Sequence, residues 1–65
     1  MKFIIAYRLK RKNARRKEKI RIDVNNEEIA KESFTNYVKM SGDSDKKHYE
    51  LLTGDWKHVM FYGDE

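Results

Sequence analysis

Cysteine and proline are both missing from this 65-residue chain, and glycine occurs only three times. Without cysteine there are no disulfides. A structural zinc site is argued against as well, because His48 and His58 are the only strong nitrogen ligands and no thiolate joins them. Small domains often lean on such staples. A domain this short buries only about 60% of the surface that its unfolded chain exposes. Stability must then come from good packing or from self-association, so a homodimer is one expectation. The lack of cysteine also fits a reducing compartment, and a cytoplasmic location is expected.

Long apolar runs are lacking too. The N-terminal run Phe3 to Leu9 is interrupted by Arg8 and flanked by Lys2 and Lys10. It is too short for a signal-peptide core or a bilayer span, so no membrane partner is expected. The chain also has no Gly-rich phosphate cradle, no nucleophile motif and no paired-carboxylate signature. Asp43-Ser44-Asp45 has the look of the start of a calcium loop, but the glycine and closing glutamate do not follow at the needed spacing. It reads as a polar turn. The sequence thus predicts no metal, no cofactor and no enzymatic activity. A small nuclease built on His58 with an arginine or Glu50 is the weakest of the readings.

What the chain does have is charge, at 40% of residues, and the charge is segregated. Met1 to Ile22 holds ten Lys/Arg against Glu18 alone, a net of +9. From Asp23 onward five Lys face ten Asp/Glu, a net of −5, and the two parts make the overall +4. Such asymmetry speaks about partners and not about fold.

The apolar residues fall in patterned blocks. Phe3, Ile5, Tyr7 and Leu9 take every second position, as do Ile20, Ile22 and Val24. Period two predicts two strands, each with one apolar face, paired as an antiparallel hairpin over residues 2–24. The joining segment Arg11 to Glu18 is polar and has no glycine, which predicts a mobile tip. A helix is expected over 26–41. Asn25 would cap it with Glu28 in a capping box, Ala30, Phe34, Tyr37 and Val38 would form its apolar stripe, and Gly42 would stop it. A second hairpin is expected over 47–62, turning at Gly54-Asp55 and placing Leu51 opposite His58 and Tyr49 opposite Met60. The sum is an α+β fold in one domain, residues 1–65: ββαββ, an antiparallel sheet with one helix on one face. The expected core is Phe3, Ile5, Tyr7, Leu9, Ile20, Ile22, Val24, Ile29, Phe34, Tyr37, Val38, Leu51, Val59 and Phe61.

The basic hairpin carries the functional expectation. Arg8, Lys10, Lys19 and Arg21 should project from the sheet face opposite the core, with Arg11, Lys12, Arg15, Arg16 and Lys17 on the loop. Exposed lysines also guard strand edges against aggregation, but nine Lys/Arg against one acid exceed that need. Arginine in particular suits phosphate, because its fork binds two oxygens. The leading expectation is a small nucleic-acid-binding accessory protein that grips DNA or RNA by its phosphates. Small basic one-domain proteins of this kind are common among phage products, an analogy resting on size alone. The alternative is an inhibitor or regulator that docks on a larger enzyme, through an acidic partner surface or through Trp56, Glu27 and Glu32. The other aromatics are read as core and not as a stacking platform; Trp56 is the exception, because it sits beside a turn.

Overall fold

The structure is a computed structural model and describes residues 1–63. The elements run β1 (Lys2–Leu9), β2 (Lys17–Asp23), α1 (Glu27–Ser41), β3 (Lys47–Thr53) and β4 (His58–Phe61). The four strands form one antiparallel sheet in the order β2-β1-β3-β4, so the fold is the α+β arrangement ββαββ. The helix crosses from edge strand β2 back to central strand β3, and β1 lies between them.

Alternation along the central strands makes two faces. Phe3, Ile5, Tyr49 and Leu51 point to the helix side, where Ala30, Phe34 and Val38 meet them; all seven are buried. Those three helix residues recur every four positions, the spacing that puts one stripe of α1 against the sheet. Tyr7, Ile22, Val24, Tyr37, Val59, Met60 and Tyr62 pack around this core and are partly exposed.

The other face has its own buried floor. Ile4, Ala6 and Leu52 are at most 1% exposed, although no helix lies over them. Their cross-strand neighbours are Arg21, Glu18, Glu50 and His58. Long polar side chains thus sit around a small apolar floor, their carbon stems suited to covering it. Strict alternation of buried and solvated positions missed this floor, and it missed Tyr49 on the helix side. Conversely, Leu9, Ile20, Ile29 and Phe61 are exposed and are not core.

Several local expectations are corrected. The helix cap is Asn26, not Asn25: its side chain accepts from the Ile29 amide at 2.9 Å. The third helical position is therefore Ile29, and there is no capping box. Gly42 does close the helix, with φ of 72°. The second hairpin turns through three residues, Gly54-Asp55-Trp56, closed by Thr53 N donating to the Lys57 carbonyl at 2.8 Å. The third residue of such a loop adopts a left-handed conformation, and Trp56 does so at φ 67°. The extra residue puts His58 opposite Leu52, and a further irregularity between Leu51 and Leu52 puts Met60 opposite Leu51.

A bulge in β2 changes the basic face. Ile20 pairs with Ile5 and Glu18 with Ala6, which leaves Lys19 without a partner. Lys19 turns to the helix side, its Nζ 6.0 Å from the ring centre of Tyr7. Glu18 comes round to the open face and binds Arg21 at 2.8 Å. The bulge and the charges on β2 also blunt that edge against pairing with another strand.

Candidate functional site

The joining loop, residues 10–16, is not a freestanding finger. Asn13 takes a left-handed conformation, φ 64°, which asparagine tolerates well, and the Ala14 amide donates to the Arg11 carbonyl at 3.3 Å. Arg16 then reaches the open face and anchors the loop there. Its Nη1 donates to Glu50 Oε1 at 3.2 Å, and its guanidinium lies 5.3 Å from the ring centre of Trp56. His58 Nδ1 meets the other carboxylate oxygen, Oε2, at 2.5 Å. Glu50 is only 9% exposed. Burying a carboxylate is costly unless it is paired, and here each oxygen has its own partner.

Strand β3 and the hairpin turn set this up. His48, Glu50 and Leu52 alternate onto the open face, where Arg8 lies across from His48 and Phe61 across from Glu50. Between them is an open cleft of about 410 Å³, lined by Arg8, Ala14, Arg16, His48, Glu50 and Phe61 among others. Phe61 is 43% exposed, and the His58 ring centre lies 4.6 Å from its own.

All nine expected cations, Arg8, Lys10, Arg11, Lys12, Arg15, Arg16, Lys17, Lys19 and Arg21, are exposed. Among the described residues, ion pairs engage only Arg16 and Arg21, which leaves seven without a carboxylate partner. Arg8 and Arg21 lie on the open face, Arg11, Lys12 and Arg15 lie on the loop at the end of the sheet, where Arg11 and Arg15 share a hollow with Tyr7, Leu9 and Lys47, and Lys10 and Lys17 flank that loop. Lys19 is on the helix side, and Lys17, opposite Tyr7, projects there too.

The alternative docking set does not hold together as a surface. Glu27 and Glu32 are on α1, behind the sheet, and five residues of helix turn put them about 140° apart. Glu27 is also paired with Lys31 at 3.6 Å. Trp56 belongs instead with Arg16 on the basic side.

A second polar cluster is structural in character. Asp43, just past α1, takes a bond from Lys47 Nζ at 2.7 Å, another from Tyr49 Oη at 2.7 Å, and lies 2.8 Å from the Ser41 hydroxyl. These three groups, Lys47 foremost, hold its carboxyl well below the ordinary value. Burial, with the bond to Asp43, pushes Tyr49 up, and the same carboxylate pushes Lys47 up. Asp43 therefore ties the helix end to β3. Among the described residues no group of three or more His, Cys, Asp or Glu is gathered for a metal. No described helix is long and apolar enough to cross a membrane.

Sequence reasoning missed the cleft as a unit. The signal was there in His48, Glu50 and Leu52 at period two, but Glu50 entered only the nuclease reading, with His58. No family model, no curated protein and no solved structure matches this chain.

Proposed function

We propose that this chain binds nucleic acid by its phosphates, through the Lys10–Lys17 loop region and the adjoining open sheet face. The observation that supports this most is the seven exposed Lys/Arg with no carboxylate partner among the described residues, six of them at one end and margin of the sheet. Left to structure alone, such charges repel one another; opposite a phosphate chain they release its counterions and gain affinity. Arg16, fastened between Glu50 and Trp56, fixes where the loop sits and so pre-positions its neighbours. The protein works as a binding module in a reducing compartment such as the cytoplasm, with no bond made or broken.

The test is binding of labelled single-stranded DNA, duplex DNA and RNA across a salt series. If all seven cations engage a single strand, the log–log slope is about −5. Arg11, Lys12 and Arg15→Ala together should flatten it by about 2. Strands recovered afterwards should run at full length; shortened strands would show that His58 and Glu50 do chemistry. No binding at micromolar protein and physiological salt overturns the proposal.

A further inference from the structure

The nucleic-acid reading leaves open whether strands or duplexes are held, and the open-face cleft bears on this. It is walled by three nitrogen-bearing side chains, Arg8, Arg16 and His48, and by one exposed ring, Phe61. At about 410 Å³ it lies near the lower end for small-ligand sites, large enough for one small ligand. Its only acid is Glu50, whose two oxygens are already taken by Arg16 and His58. The free surface of the cleft therefore offers donors and a π-face, and no competing negative charge.

The geometry points to a subsite for one unpaired nucleotide. The base stacks on Phe61, and its phosphate lies toward Arg8 and His48. This rests on the proposed nucleic-acid binding and adds a strand preference to it. A duplex keeps its bases stacked inward, so reaching Phe61 would require extruding one, at a cost of a further loss in affinity. A single strand presents its bases freely, and any base can stack because each has a π-face. Selection is thus for the unpaired state and not for sequence. Glu50 acts as a positioning residue: it holds Arg16 at the cleft wall and His58 behind the Phe61 ring.

Phe61 lies on an edge strand and is 43% exposed, so it can be exchanged without opening the core. The test compares a labelled 12-nucleotide strand with its duplex, for the native chain and for Phe61→Leu and Phe61→Trp. The native chain should prefer the strand. Phe61→Leu keeps apolar bulk but loses the π-face, and should bind the strand about tenfold more weakly with the salt slope unchanged. Phe61→Trp should retain or tighten strand binding. Equal affinity for strand and duplex, or Phe61→Leu binding as well as the native chain, overturns the subsite while leaving the phosphate reading intact. Absence of binding to either probe overturns both.

Discussion

Replacing Glu50 by alanine isolates the contact that fixes the loop. Two charge-assisted bonds disappear, Arg16 Nη1 to Oε1 at 3.2 Å and His58 Nδ1 to Oε2 at 2.5 Å. Bonds to charged groups are worth about 1.5–3 kcal/mol each when buried. Here the partners' side chains are 41% and 45% exposed, so water recovers part of each and about 1 kcal/mol apiece remains. The expected loss is about 2 kcal/mol. For a domain of this size that lowers the melting temperature by about 8–16 °C. Arg16→Ala alone should cost about half as much. The double variant should melt close to Glu50→Ala, because the two residues share one interaction and their effects do not add. Thermal unfolding followed by circular dichroism reads all three. A Glu50→Ala shift under about 3 °C, or additive effects in the double variant, would refute the claim that Glu50 fastens the loop.

Other outcomes follow from the same structure. Asn26→Ala should destabilise by about 1 kcal/mol and Asn25→Ala by much less, since only Asn26 accepts from a helix amide; chemical denaturation of the pair decides it. Asp43 has a folded-state carboxyl held below its ordinary value of 3.8, so its stabilisation is complete above that value and is lost as pH falls below it. Acid unfolding of Asp43→Asn, compared with the native chain, should show a weaker fall below about pH 4; an identical fall would show that Asp43 contributes nothing there. Trp56 is the only tryptophan, and Arg16 stands over its ring. Its fluorescence should change when a strand binds and should shift to longer wavelength in Arg16→Ala, which leaves the ring wetter.

The architecture was legible because period two and helical spacing are each enforced by burial. Phe3, Ile5, Phe34, Val38 and Leu51 have to face one core, and they do. What escaped is what burial does not enforce locally. Asn25 and Asn26 are equally good caps, and only tertiary placement chooses between them. Trp56 occupies a left-handed position that glycine or asparagine usually fills, so no turn rule places it there. The β2 bulge moves Glu18 and Lys19 to faces opposite those that simple alternation gives them. Ile4, Ala6 and Leu52 are buried without a helix over them, among the long side chains of Arg21, Glu18, Glu50 and His58, and alternation alone does not announce so small a second apolar face. The nine cations could be named from the sequence. Their division between loop, open face and helix side could not, because it depends on that bulge and on the Arg16–Glu50 contact.

In the proposed function the loop and the open face together meet a nucleic-acid strand. Amide chemical shifts of the labelled protein, followed while a short single strand is added at low salt, test it most directly. The amides of residues 10–17, with Arg8, His48 and Phe61, should move together and saturate, while those on α1 from Glu27 to Lys39 stay in place. Shifts centred on α1, or none at a saturating excess of strand, would contradict it.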